Sequence, residues 1–197
     1  MNRWVFLRHG ESEANRGRVF SGHRDVALTA HGRRQAIAAG PKIAAMLEGR
    51  PLSAAWSSDL QRARETAVCA LQAAEINLPL MEHPALRERC LGDWEGQAID
   101  PIKASSAGQL LVSWEGRAPN GESLADVAKR AVNELASIQT EGCILLVGHG
   151  GLIRALLGLI DGTPLNEIGR VNIPNATPIV RDLHANQWTR IANALLG

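Results

Sequence analysis

Cys143-Ile144-Leu145-Leu146-Val147-Gly148-His149-Gly150-Gly151 is the stretch on which the fold turns. A short unbroken apolar run that stops at a glycine-rich corner reads as a strand buried on both faces, with a helical pattern beginning near Leu152. The opening of the chain repeats the arrangement: Trp4-Val5-Phe6-Leu7 is apolar and ends at Arg8-His9-Gly10. Leu52 to Trp56 is a third short run, closed by Ser57-Ser58-Asp59. Buried strands that alternate with helical segments predict a three-layer α/β/α sandwich around a mostly parallel central sheet.

The helical segments are legible from their spacing. After Thr29, the residues Ala36, Gly40, Ile43 and Leu47 share one face, and Pro41 inside this segment predicts a kink or a break. After Asp59, the residues Leu60, Ala63, Ala67 and Leu71 share a face, with Asp59 or Ser58 as the expected N-cap. Ser123 opens an amphipathic helix built on Leu124, Val127, Ala128, Ala131, Val132, Leu135 and Ile138, and Asp126 completes a near capping box. Residues 75–85 read as extended, interrupted by Pro79 and Pro84. Residues 178–183 and 187–192 read as the last strands. Residues 86–121 hold no sustained period but carry Gly92, Gly96, Gly108, Gly116 and Gly121, the pattern of a functional loop or lid. With no linker or repeat, residues 1–197 are expected to form a single domain.

Composition narrows the function classes. Lys plus Arg number 21 against 20 Asp plus Glu, a formal charge of +1 that argues against nucleic-acid or acidic-membrane binding. A chain of 197 residues buries about 70% of its unfolded surface without staples. Cys69, Cys90 and Cys143 form no paired motif and read as small buried hydrophobes rather than a disulfide or zinc framework. Trp4–Leu7 is too short for a signal-peptide core and no stretch is long enough to span a bilayer, so the expectation is a soluble cytoplasmic protein.

Ligands of open α/β sheets bind outside the carboxyl ends of the strands. Two of the strand candidates deliver a histidine there, His9 and His149, each followed by a glycine that lets a ligand approach the backbone. Arg8 precedes the first, and Arg62 lies in the first turn of the helix after the third run. Guanidinium groups and helix N-termini together favour a tetrahedral dianion, and a phosphate is the expected guest. Glu88, in Leu86-Arg87-Glu88-Arg89, is the candidate proton donor, since a bound dianion favours the neutral form of a carboxyl beside it.

These residues carry a resemblance. Arg8-His9-Gly10-Glu11-Ser12-Glu13-Ala14-Asn15 is similar to the first motif of the histidine phosphatase superfamily, which includes the cofactor-dependent phosphoglycerate mutases. Gly22, Asp25, Leu28, Thr29, Gly32 and Gln35 follow at that family's spacing. Ser57 to Ala67, then Leu86, Glu88 and Gly92-Asp93-Trp94-Glu95-Gly96, then Val147 to Gly151, resemble its later motifs in order. The resemblance implies a phosphoglycerate mutase-like fold and a metal-independent phosphomonoesterase that needs no cofactor. It makes His9 the nucleophile that becomes phosphohistidine, and Glu88 the acid and then the base. Arg8, Arg62 and His149 would hold the phosphoryl oxygens. Asn15 and the backbone at Ser21 and Gly22, with Gly150, would add contacts to phosphate or substrate. Within the family, true mutases carry a longer insertion between the Glu88 and His149 positions, so this spacing leans toward a phosphatase, with the mutase as the alternative. Nucleotide-loop phosphates of the α-ribazole kind, sugar phosphates and phosphoglycerates are the implied substrates. A homodimer is the base-rate expectation.

Plainer readings stand beside these. A phospho-ligand binder without turnover would keep the arginines, and His9, His149 and Glu88 could form a zinc set, though Arg8 and Arg62 argue against a cation. Glu88 could pair with Arg87 or Arg89. Ser123 reads as a cap and Trp94 and Glu95 as loop anchors. His23, His31, His83 and His184 read as ordinary surface or turn residues. Lys103 and Arg117 could meet a second anionic group, with solvated loop charges the preferred reading.

Overall fold

The computed structural model describes residues 1–196. Its strands are β1 (Asn2–Arg8), β2 (Leu52–Ser57), β3 (Leu80–Glu82), β4 (Cys143–Gly148) and β5 (Ile179–Leu183), in the order β3-β2-β4-β1-β5. The three pairings among β3, β2, β4 and β1 are parallel, and β5 runs antiparallel to β1 at the edge. The helices are α1 (Glu13–Arg16), α2 (Ala30–Met46), α3 (Gln61–Ala73), α4 (Ile99–Ala104), α5 (Gly108–Val112), α6 (Leu124–Ser137), α7 (Gly150–Ile160), α8 (Leu165–Ile168) and α9 (Gln187–Leu196).

The sandwich follows from alternation along the central strands. Trp4 and Phe6 of β1 and Ile144 and Leu146 of β4 point to one face, where they pack on Val127, Val132 and Leu135 of α6, Leu152 and Leu156 of α7, and Trp188 and Ile191 of α9. Val5, Leu7, Leu145 and Val147 point to the other, against Ala39 and Ile43 of α2 and Ala63, Ala67 and Ala70 of α3. Every residue of β4 is buried, as its unbroken apolar run requires. The capping box expected at Ser123 is present in full, with the Ser123 hydroxyl accepting from Asp126 N–H and the Asp126 carboxylate accepting from Ser123 N–H.

Four local expectations are corrected. The helix α2 continues through Pro41 without the break that was one of the two expected outcomes there, and the exposed position of Pro41 leaves the freed carbonyl one turn earlier on the side of the helix that meets water. The helix α3 is capped at Leu60 without a side-chain bond from its own cap; Asp25 reaches across to accept from Gln61 N–H at 2.8 Å, because Asp59 is engaged by Arg87. Residues 187–192 belong to α9 rather than to a strand: Trp188, Ile191, Ala192 and Leu195 recur at helical spacing and dock on the sheet. The stretch 86–121 contains α4 and α5 and a core of its own, in which Phe20, Leu91, Trp94, Leu111 and Ala118 pack together and Phe20 stacks on Trp94. No helix among the described residues is long and apolar enough to cross a membrane.

Candidate active site

β1 and β4 are neighbours in register, Arg8 opposite Gly148, so both chains leave the sheet at the same edge. His9 N–H donates to the Gly148 carbonyl at 2.9 Å, which carries the pairing one residue past the strand. The two imidazoles therefore meet, with ring centroids 5.2 Å apart in an edge-on arrangement. His9 is 3% exposed and His149 is fully buried.

The ring of His9 is held in one sense. Its Nδ1 lies 2.7 Å from the Gly10 carbonyl, and a carbonyl can only accept, so Nδ1 carries the proton and Nε2 carries the lone pair. Burial, then the fields of Arg62 and Arg8, hold this imidazole well below the usual histidine range. His149 is lowered in the same sense by burial, then by Arg62 and His9, and neither of its ring nitrogens has a hydrogen-bond partner among the described residues.

Arg62 is wholly buried: Nη1 donates to the Arg24 carbonyl at 2.9 Å and Nη2 to the Gly22 carbonyl at 2.8 Å, while Nε has no partner. Gly22 takes φ +48°, a left-handed turn that suits glycine, and so presents that carbonyl inward. Arg8 donates Nη1 to the Ile173 carbonyl at 2.7 Å and likewise keeps an unpartnered buried Nε. Buried donors without partners cost about 1–3 kcal/mol each. Arg8 and Arg62 thus set two cations beside two neutral imidazoles, with buried nitrogens left unpartnered among the described residues and the Glu88 carboxylate as the anion whose field reaches both arginines.

Arg8 reaches the wall of a cleft of about 480 Å³ that is also lined by Asn15, Ser21, Gly22, Glu88 and Gly150, whereas His9, Arg62 and His149 do not line it. Glu88 does not pair with either neighbouring arginine in the way the plainer reading allowed. Its carboxylate accepts from Gly151 N–H, at 3.0 and 3.1 Å to the two oxygens, and from Arg89 N–H at 2.8 Å, while Arg87 pairs with Asp59. The first turn of α7 thus anchors the carboxylate beside His149. Glycine at 151 leaves room for this, since a Cβ there would push the end of the Glu88 side chain from its present place. Gly10 has a packing role as well: a Cβ there would run into the Gly32 carbonyl, so this glycine admits the start of α2.

Several residues at the site carry no sequence signal. Asn175 donates to the His9 carbonyl at 2.8 Å and reaches Asn15 Oδ1 at 3.4 Å. Thr66, one turn after Arg62, accepts from Gly10 N–H at 3.0 Å and donates to the Arg62 carbonyl at 2.7 Å. Arg130 of α6 donates to the carbonyls of Ala85, Arg87 and Glu88 and pairs with Glu122, clamping the segment that bears Glu88. His23, read as ordinary, is half-buried, with Nε2 2.7 Å from the same Glu88 carbonyl. Trp94 and Glu95 do anchor the loop, Glu95 by accepting from His23 N–H and Leu91 N–H. Lys103 lines the cleft, whereas Arg117 pairs with Asp126. Among the described residues, no group of three or more His, Cys, Asp or Glu side chains is placed to hold a metal ion.

Comparison with known proteins shows the family of the chain. The profile of the histidine phosphatase superfamily (branch 1) matches residues 4–193. A glucosyl-3-phosphoglycerate phosphatase of Mycolicibacterium vanbaalenii is 38% identical over 206 residues, covering 98% of this chain and 84% of that one. A 2,3-bisphosphoglycerate-dependent phosphoglycerate mutase of Bartonella henselae is 36% identical over 186 residues, 89% of each chain. A mycobacterial glucosyl-3-phosphoglycerate phosphatase solved with VO3 superposes with a TM-score of 0.79 at 32% identity, covering 91% of this chain and 92% of that one. The mutase relative matches over 89% of its own length, so chain length does not separate mutase from phosphatase here, contrary to the expectation drawn from the Glu88–His149 spacing.

Proposed function

The chain belongs to the histidine phosphatase superfamily, and from that premise we propose that this enzyme is a metal-independent phosphomonoesterase acting on a small phosphorylated metabolite through phospho-His9. The observation that carries the reading is the neutral, tautomer-locked His9, set between Arg8 and Arg62 beside His149. A neutral imidazole with its lone pair on Nε2 is a nucleophile, and guanidinium groups neutralise the phosphoryl oxygens without a cation.

The Nε2 lone pair of His9 forms a bond to phosphorus while the bond from phosphorus to the leaving oxygen breaks, and protonated Glu88 gives its proton to that oxygen. A water molecule then attacks phosphorus, the Glu88 carboxylate takes its proton, and the bond from phosphorus to nitrogen breaks, restoring neutral His9. Arg8, Arg62 and His149 hold the phosphoryl oxygens through both steps. Asn15, Ser21, Gly22 and Gly150, which line the cleft, add contacts to the phosphate or the substrate.

Phosphoglycerate mutase activity is the second reading, favoured by the 36% identity to a relative of that name. It requires the same phospho-His9 but returns the phosphoryl group to a sugar-acid hydroxyl instead of water. The discriminating experiment is phosphate release from a panel of phosphorylated metabolites in EDTA, with His9→Ala as the blank. Release by the wild type alone supports the phosphatase. Interconversion of phosphoglycerates with a bisphosphoglycerate primer, without net release, supports the mutase. Phosphate binding without either reaction would leave only a phospho-ligand binder.

A further inference from the structure

The turn from Gly22 to Arg24 faces two ways. Its backbone meets the arginine: the Gly22 and Arg24 carbonyls accept from Arg62 Nη2 and Nη1. Its side chain meets the acid: His23 Nε2 lies 2.7 Å from the Glu88 carbonyl, and a carbonyl can only accept, so that nitrogen carries a proton and donates it. His23 N–H is fixed in turn by Glu95 Oε1 at 2.8 Å, the same oxygen that takes Leu91 N–H at 3.0 Å. One short turn therefore spans from Arg62, which on the proposed mechanism holds phosphoryl oxygens, to Glu88, which protonates the leaving oxygen.

The other support of Glu88 comes from α6. Residues 87–91 lie outside every strand and helix, so their backbone groups must find partners elsewhere. The Arg130 guanidinium supplies several of them, donating to the carbonyls of Ala85, Arg87 and Glu88 at 2.6, 2.9 and 2.8 Å. Glu122 holds that guanidinium in a fork, at 2.9 and 3.0 Å. Glu122 also exchanges two hydrogen bonds with Cys90, one through its carboxylate and one through its N–H, each 2.9 Å. The Glu88 carbonyl thus receives two donors, one for each lone pair, from separate parts of the fold. Neither His23 nor Arg130 lines the cleft, so neither is placed to touch substrate.

We infer that His23 and Arg130 are positioning residues: by gripping the Glu88 carbonyl they set where its carboxyl stands relative to the phosphoryl group at Arg62, and so how well its proton reaches the leaving oxygen. A misplacement of about 1 Å in such a group costs about 10²-fold in rate. This inference rests on the phosphatase reading and deepens it by adding the residues that place the acid.

A pair of leaving groups and a double-mutant cycle provide the test. The probes are 4-nitrophenyl phosphate, whose phenolate leaves without a proton, and 2-phenylethyl phosphate, whose alkoxide needs one. His23→Ala and Arg130→Met should each lower kcat/KM for the alkyl ester about tenfold to a hundredfold, mostly in kcat, and for the aryl ester by less than about threefold. His23→Gln, which keeps an N–H donor near the place of Nε2, should recover much of the loss in His23→Ala. In a Glu88→Gln background, where no proton is left to place, neither substitution should lower the alkyl rate by more than about twofold further. Full additive losses in that background would show that these residues do not act through Glu88 and would overturn the inference. So would equal losses on the two esters, or a His23→Gln variant no better than His23→Ala. If Arg130→Met does not fold, the half-buried His23 decides the matter through the same cycle. A Glu88→Gln variant with an unaltered alkyl-to-aryl ratio would remove Glu88 as the acid and the inference with it. Failure of the wild type to release phosphate from either ester, with no label on His9, would take down the phosphatase reading itself.

Discussion

Acid should destabilise this protein through two protons that the folded state refuses. Burial and the fields of Arg62 and Arg8 keep His9 neutral, and burial, Arg62 and His9 keep His149 neutral, both well below the usual histidine value of about 6.5. In the unfolded chain each imidazole returns to that value. Below it, the unfolded state binds protons that the native state does not, so this stability is fully present above pH 6.5 and is lost as the pH falls toward the folded-state values. Between pH 7.5 and 5.5 the loss is about 1.4 kcal/mol for each histidine and about 2.7 kcal/mol for the pair. That is a large share of the ~5–15 kcal/mol by which domains are usually stable. Urea unfolding at a series of pH values, in the wild type and in His149→Gln, measures it. At pH 5.5 the wild-type slope should exceed that of the variant by about 0.9 proton, or about 1.2 kcal/mol per pH unit. Equal slopes in the two proteins would show that His149 charges freely in the folded state, and the electrostatic account of the site would fail.

Three further outcomes are expected. Glu88→Gln should lower kcat/KM for alkyl phosphates by about 10²–10⁴-fold and for aryl phosphates far less, since phenolates leave without a proton; equal losses would remove Glu88 as the acid. Gly151→Ala places a Cβ 2.4 Å from Glu88 Oε1 and should reproduce that leaving-group signature while inhibition by inorganic phosphate stays near wild type; an unaltered alkyl-to-aryl ratio would mean the carboxylate is not held there during catalysis. Trp188→Ala removes a buried side chain of α9 packed on Trp4 and Phe6 and should cost about 3–5 kcal/mol in chemical denaturation, whereas a loss under about 1 kcal/mol would mean that α9 is not docked.

The strands and the site differ in how they are encoded. Apolar runs such as 143–147 and 4–7 report burial on both faces, and a buried strand must end where its chain turns outward, so both histidines were legible as residues of one sheet edge. Ser123 and Asp126 were legible as a capping box because both bonds are local. By contrast, residues 187–192 are short enough that Trp188, Ile191 and Ala192 fit a strand by composition, and only docking of α9 on the sheet decides the period. Residues 86–121 have no regular period, yet Phe20 brings them a core from a distant part of the chain.

What the sequence determines by itself is thus the alternation of buried strands and amphipathic helices and the placing of His9 and His149 at strand ends, because periodicity, capping and strand ends act over a few residues; Arg8, Arg62 and Glu88 join them as candidates through the family resemblance. Tertiary structure alone decides that Asp25 caps α3, that Arg130 and His23 meet at the Glu88 carbonyl, that Asn175 holds His9, and that Arg89 and Arg154 share one cleft. Those partners lie tens to more than a hundred residues apart along the chain, and which of them meet is settled by how the layers pack, a global outcome that local spacing does not record.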